Sequence, residues 1–248
     1  MKVYVINLER SIERKMRMSE LLTTTGVEYE FFPAIDGRIA TIIGYDWSRR
    51  IKEKGHPLTL GEQACFLSHR ALWLKCIELN APIVVMEDDV DLKENFYDVL
   101  KHASIHLSSY KYIRLGRAPI KSTLILPRVV TLALLNDNTK LVKYSRGPSG
   151  AYGYIIHPDA ARKFVNSSSC FWMPVDDYMD CEYIHGVSNI GIEEPVIKYT
   201  DIQSEIGYAS RQQKGNRTLV SRIRKEYFRY RLYILQFIFN IIFYLKRL

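Results

Sequence analysis

The sequence predicts an α/β protein: a mixed, largely parallel Rossmann-type sheet flanked by helices, followed by a C-terminal amphipathic helix. Three observations lead there. Short β-branched and aromatic runs alternate with helix-patterned segments. One run, Ile83-Val-Val-Met86, is apolar throughout, as a strand covered on both faces must be. Near the end, an uncharged stretch from Leu232 to Leu245 sits between basic flanks.

Val3 to Asn7 reads as the opening strand, and Leu8-Glu-Arg-Ser-Ile-Glu-Arg14 as the helix that follows it. Tyr29 to Ile35 is a second strand, closed by the turn dipeptide Asp36-Gly37. Thr59-Leu-Gly-Glu62 has the spacing of a capping box, so a helix starts there and runs to Leu79. Ala81-Pro82 stops it ahead of the apolar strand. Tyr112–Leu115, Leu141–Tyr144 and Tyr152–His157 complete the strands, and Pro158 to Phe164 forms a helix opening on proline.

The 248 residues are 47% hydrophobic, enough for one sizeable core. The expected division is a folded body over residues 1–212 and a basic amphipathic tail over 213–248. A net charge of +8 raises nucleic-acid binding as a possibility. From Arg211 onward, however, there are 10 basic residues and one acid, leaving 25 basic against 26 acidic residues before it. The basicity belongs to the tail, whose apolar run fits a lipid surface better than a phosphate backbone.

That run is shorter than the ~20 residues needed to span a bilayer. Arg222, Lys225, Arg229, Gln236, Asn240 and Arg247 trace one polar stripe along a helix. Such a helix is expected to lie in an anionic membrane interface, with its Phe, Ile, Leu and Tyr residues inserted. Packing on the body, or a dimer contact, is the alternative. The N-terminus lacks the apolar stretch of a secretory signal, so a cytoplasmic location is expected. Cys65, Cys76, Cys170 and Cys181 have no metal-ligand spacing and read as reduced, buried thiols.

Glu87-Asp88-Asp89 directly follows the buried strand, at the edge where open α/β sheets bind ligands. Adjacent carboxylates repel unless a cation neutralises them, and oxygen ligands suit Mg²⁺ or Mn²⁺ with a diphosphate. Alternatively, these acids cap a helix starting between Asp91 and Phe96. Arg10 and Arg14 lie four apart, on one face of the first helix, where they meet either a nucleotide or solvent. His69, mid-helix beside Ser68, reads as a hydrogen-bonded core residue. Asp176 and Asp177, after Phe171-Trp172, form a second carboxylate pair suited to general-base work or to a turn and cap.

Together, Val5-Ile-Asn-Leu-Glu-Arg10 with Arg14, Ala34-Ile-Asp-Gly37, Gly61 with Cys65-Phe-Leu-Ser-His69, Glu87-Asp-Asp-Val90 and Pro174-Val-Asp-Asp177 resemble glycosyltransferase family 25. That family contains bacterial lipooligosaccharide galactosyltransferases and collagen galactosyltransferase domains. The motifs occur in family order across roughly Met1 to Gln212. The resemblance implies a GT-A-like fold, a divalent metal (Mn²⁺ or Mg²⁺), a UDP-sugar donor and inversion to a β-linkage.

It also implies roles. Asn7, Leu8, Arg10, Arg14 and Asp36 become candidates to hold the nucleotide, with Ser68, His69, Glu87 and Asp88 on the donor side. Asp89 becomes the metal ligand and Asp176 or Asp177 the base. The literal D-x-D spacing, Asp89-Val90-Asp91, makes Asp91 a second metal candidate. The expected reaction moves galactose from UDP-galactose to a lipooligosaccharide acceptor, possible position β-1,4, at the cytoplasmic face of a bacterial inner membrane. UDP-glucose or another UDP-sugar is the alternative donor. A non-catalytic glycan- or membrane-binding protein is the alternative class.

Overall fold

The computed structural model describes residues 1–117, 129–136, 139–200 and 219–247; the side chains of 219–222 and 225 also lie outside the described set. The chain opens with β1 (Val3–Asn7), α1 (Ile12–Thr25) and β2 (Tyr29–Pro33), then α2 (Trp47–Lys54) and α3 (Leu60–Leu79). Next come β3 (Ile83–Glu87), β4 (Val90–Leu92), α4 (Phe96–Ile105), β5 (Tyr112–Arg114), β6 (Val129–Asn136), β7 (Thr139–Tyr144) and β8 (Gly153–Ile156). The last elements are α5 (Pro158–Ser167), α6 (Val175–Asp180), α7 (Glu182–His185), β9 (Ile190–Ile192), β10 (Ile197–Tyr199) and α8 (Leu219–Leu245).

Eight strands join in the order β2-β1-β3-β8-β5-β9-β7-β6, while β4 and β10 form a separate antiparallel pair. Only β7 and β8 run against the other six strands. Because of where they sit, four of the seven pairings are nonetheless antiparallel. The sheet is largely parallel in strand direction and mixed in its ladders.

β3 is buried on both faces, as its uninterrupted apolar sequence requires. Val84 and Met86 join Val3, Val5 and Met18 in one core cluster, whereas Ile83 and Val85 join Phe66, Trp73 and Phe164 in the other. Helix α3 packs on the second face beside α5, where the Trp73 and Phe164 rings lie 4.9 Å apart. Both capping-box bonds at its start are formed: Thr59 N–H donates to Glu62 Oε2 (2.8 Å) and Glu62 N–H to Thr59 Oγ1 (3.1 Å).

Four expectations are corrected. Helix α1 begins at Ile12 after Ser11, so Arg10 lies in the preceding turn and not on the helix. The acidic run caps no helix, because α4 starts at Phe96 behind Asn95 and Asp91 sits in β4 opposite Lys198. Of the cysteines, only Cys76 is buried and Cys170 is exposed, though all four are free.

The tail also departs from its expected orientation. Gln236 and Asn240 face the body rather than a headgroup layer. Asn240 Nδ2 donates to the Ser145 carbonyl (2.7 Å), and Lys143 Nζ donates to Asn240 Oδ1 (3.1 Å) and Glu182 Oε2 (3.0 Å). Arg247 Nη1 reaches the Tyr110 hydroxyl at 2.7 Å. Ile234, Phe237, Ile238, Ile241, Ile242 and Leu245 are left exposed. A buried cation, Lys143, turned the polar stripe inward. The side chains of Arg222 and Lys225, and the 212/213 boundary, lie outside the described residues.

Candidate active site

The parallel register of β1, β2 and β3 sets Asn7 opposite Pro33 and Ile6 opposite Glu87. The segments leaving these strands therefore emerge at one sheet edge. They meet the start of α3 around a cleft of about 330 Å³ lined by Leu8, Arg10, Arg14, Asp36, Ser68, His69, Glu87, Asp88 and Asp89. Asn7 is buried beneath it, its Nδ2 donating to Asp88 Oδ2 at 2.7 Å.

The three acids are not equivalent. Asp88 is satisfied internally, accepting from Asn7 and, at Oδ1, from Arg14 Nη1 at 2.8 Å. Asp89 has its carbonyl tethered by the Thr200 N–H (3.2 Å) and hydroxyl (2.8 Å), and its Oδ2 lies 3.6 Å from Arg14 Nη1. Its Oδ1 is buried with no hydrogen-bond partner among the described residues. Burial, and then the charge of Glu87, push the Asp89 carboxyl up to about 7. Burial, and then Asp176, push Glu87 up to about 8. An orphaned buried carboxylate oxygen beside a second carboxylate is a vacancy of charge that a divalent cation with oxygen ligands fits.

Glu87 is held from behind. Trp73 Nε1 donates to the Tyr154 hydroxyl (2.9 Å), which lies 2.8 Å from His69 Nδ1, and His69 Nε2 lies 3.3 Å from Glu87 Oε1. Burial lowers His69 to about 3, so the ring is neutral. With Tyr154 accepting from Trp73 and giving its own proton to Nδ1, the remaining ring proton is on Nε2 and points at Glu87.

Cys65, His69 and Glu87 place their ligand atoms within 4.8 Å of one another. Both His69 nitrogens are engaged, however, and burial keeps the Cys65 thiol protonated. The oxygen set at Asp89 is the better fit to a hard cation.

The opposite wall is a loop pinned to α3. Ser68 Oγ accepts the Ile35 N–H at 2.9 Å, which makes Ser68 a strut rather than a cleft donor. A Cβ at Gly37 would lie 2.4 Å from the Leu60 carbonyl oxygen, so only glycine permits the loop to press this closely. Asp36 pairs with Arg10 and accepts the Arg38 N–H (3.0 Å).

Asp176 and Asp177 lie in the first turn of α6 and separate by exposure. Asp177 is exposed, whereas Asp176 is half-buried and close enough to Glu87, His69 and Cys65 to shift all three. Asp91 is not brought to the cleft; it pairs with Arg17 on the exposed side of β4.

Residues absent from the sequence reading lie near Asp176, whose charge acts on both Arg114 and Asp180. Buried Arg114 pairs with Asp180 at 2.5 Å and donates to the Gly150 carbonyl, and Asp180 accepts the Ser149 N–H at 3.0 Å. Burial is the main reason Asp180 rises to about 7. Asp180 follows Asp176 by four residues, the one sequence signal that could have joined it to that helix face. Trp73 carries the same signal, four residues after His69 on α3, while nothing local marked Arg114 or Tyr154.

The chain is similar to known glycosyltransferases. A model of glycosyltransferase family 25 (LPS biosynthesis protein) matches residues 1–179. A glycosyltransferase 25 family member of Anopheles gambiae is 30% identical over 192 residues, covering 71% of this chain and 31% of that protein. Procollagen galactosyltransferase 2 of Homo sapiens is 28% identical over 200 residues, 73% of this chain and 30% of its own length. Inactive glycosyltransferase 25 family member 3 of Mus musculus is 34% identical over 131 residues, 48% of this chain and 22% of its own. The chain thus spans less than a third of the length of these curated relatives. With the family model matching well over half of it, the chain belongs to glycosyltransferase family 25.

Proposed function

We propose that the chain is an inverting, metal-dependent galactosyltransferase. It moves galactose from UDP-galactose to a growing lipooligosaccharide or lipopolysaccharide acceptor, forming a β-linkage, with β-1,4 the expected position. One observation carries the reading: the buried, unpartnered Oδ1 of Asp89, beside Glu87 in the cleft. Asp89 and Glu87 would hold Mn²⁺ or Mg²⁺, which supplies neutralisation of the charge developing on the departing diphosphate.

The chain's own groups do the rest. Asn7 and Arg14 clamp Asp88 and so fix the backbone from which Asp89 projects. The Trp73–Tyr154–His69 line orients Glu87. Leu8, Arg10 and the Asp36 loop receive the nucleotide. Asp176, facing this cluster, accepts the proton of the attacking acceptor hydroxyl at its carboxylate oxygen, on the side opposite the nucleotide. Asp176 is preferred to Asp177 because Asp177 is exposed.

The donor and acceptor rest on the printed names of relatives and of the family, which include procollagen galactosyltransferases and LPS biosynthesis. The proposed location is the cytoplasmic face of a bacterial inner membrane, against anionic lipid. It is supported by the exposed apolar face of α8; no described helix is long and apolar enough to cross a membrane. A second reading, a non-catalytic glycan- or membrane-binding protein, is favoured by the inactive mouse relative. A panel of UDP-sugars with Mn²⁺ separates the two. Turnover fastest with UDP-galactose is expected; fastest turnover with UDP-glucose transfers the reading to that donor. UDP binding without turnover of any donor would support the non-catalytic protein.

A further inference from the structure

A second cavity, of about 370 Å³, opens between the last turns of α8, the start of α5 and the segment leading into β5. Lys111, Lys163, Lys246 and Arg247 line it, with a single carboxylate, Asp159. That carboxylate is already shared among Lys111 (3.6 Å), Arg162 (3.1 Å) and His157 (3.3 Å). Lys163, Lys246 and Arg247 pair with no carboxylate among the described residues; Lys163 meets the Gly186 carbonyl and Arg247 the Tyr110 hydroxyl. Burial and then the charge of Lys111 hold His157 below its ordinary value, as expected beside a surplus of positive charge.

This basic cavity adjoins the exposed apolar face of α8. Phe243, Lys246 and Arg247 line the cavity, while Ile238, Ile241, Ile242 and Leu245 on the same turns are exposed. Fixed apolar surface beside an anion pocket presents at once the two chemistries of a phospholipid, acyl chain and headgroup. A free phosphate would engage only the pocket. A second copy of the chain would bring the same cations to the contact.

We propose that this cavity seats the phosphate of an anionic phospholipid headgroup while the adjoining face of α8 enters the bilayer. The inference rests on the surface association proposed above and gives it a site and an orientation. Because Gln236, Asn240 and Arg247 bind α8 to the body, the protein docks as one unit rather than hanging from a flexible tether.

Co-sedimentation with phosphatidylcholine vesicles, with and without phosphatidylglycerol, tests it on the full chain. Native protein should prefer the anionic vesicles. Lys163→Glu with Lys246→Glu should weaken that binding by roughly thirtyfold. Lys75→Glu with Lys101→Glu, the same change in net charge at residues that do not line the cavity, should weaken it by less than about threefold. Phe237→Ser should reduce binding to both vesicle types. Equal losses in the two double variants would overturn the pocket but leave surface association standing. No vesicle binding by native protein would overturn both. Saturation by inorganic phosphate without vesicle binding would assign the cavity to a soluble anion and overturn the proposal. A concentration-dependent dimer abolished by Phe237→Ser, again without vesicle binding, would overturn it in favour of a second copy. UDP-sugar turnover with a soluble acceptor should be unchanged in every variant, which keeps this test separate from that of the transferase.

Discussion

Two of the regions that bury charged side chains satisfy them in different ways. Under α8, Lys143 and Glu182 have fully buried side chains, yet the pair is complete. Lys143 reaches Glu182, Asn240 and the Tyr144 carbonyl, and Glu182 also accepts from Gln236 and the Asn189 N–H. In the cleft, Asp88 is equally complete, but its neighbour Asp89 keeps an unpartnered oxygen beside a second carboxylate. The first arrangement joins two parts of a fold. The second is where the proposed cation would sit. Burial of charge alone therefore does not mark a site, and neither does an orphaned polar atom, since Tyr112 and Asn189 also hold one; at Asp89 the orphaned oxygen stands beside a second carboxylate in an open cleft.

The comparison breaks most visibly at Asp89. Asp89→Asn should lower metal-dependent transfer on the order of a thousandfold, about 4 kcal/mol of transition-state stabilisation. It should leave the melting temperature of metal-free protein unchanged or higher, because it removes a carboxyl whose charged form is disfavoured by burial and by Glu87 more than Arg14 favours it. Lys143→Met should do the reverse. Stripping Glu182 of its cation should cost about 3 kcal/mol in denaturant unfolding, with the chemistry at the cleft intact in the folded fraction. Adding Glu182→Gln, which removes the stranded charge and keeps an oxygen to accept the Asn189 N–H, should recover most of the loss.

A smaller effect belongs to the wall opposite the acids. Gly37→Ala forces the Asp36 loop away from the Leu60 carbonyl and should weaken UDP binding roughly tenfold, measured by calorimetry.

The remaining test is the pH dependence. In metal-free protein Glu87 and Asp89 hold protons up to about 8 and about 7, whereas the unfolded chain releases them near ordinary carboxylate values. Between these limits the folded state binds more protons, so stability falls as pH rises through that window. The melting temperature should be lower at about pH 8 than at about pH 5.5, with a flatter slope in Asp89→Asn.

What the sequence disclosed was local. Thr59 and Glu62 identify a helix start because their bonds span three residues, and Ile83 to Met86 reads as a buried strand because every position is apolar. The Glu87–Asp89 cluster inherits its place from that strand. Long-range pairing was not legible. Nothing near Asp91 announces that β10, over a hundred residues later, will draw it into a strand where Arg17 neutralises it. The tail failed for the same reason. Gln236 and Asn240 read as part of a polar stripe at a membrane interface because Lys143, the partner of Asn240, lies 97 residues earlier, and only the assembled sheet shows it buried. Arg114 and Tyr154 reach the site from strands distant in sequence, by contacts no short spacing encodes, whereas Trp73 stands one helical turn beyond His69 on α3.

The most direct measurement is Mn²⁺ binding, followed by paramagnetic resonance in the presence of UDP, to native protein, Asp89→Asn and Lys143→Met. The account predicts a bound-ion signal in native protein and in folded Lys143→Met, and its loss in Asp89→Asn. A native-like Mn²⁺ affinity in Asp89→Asn would contradict it.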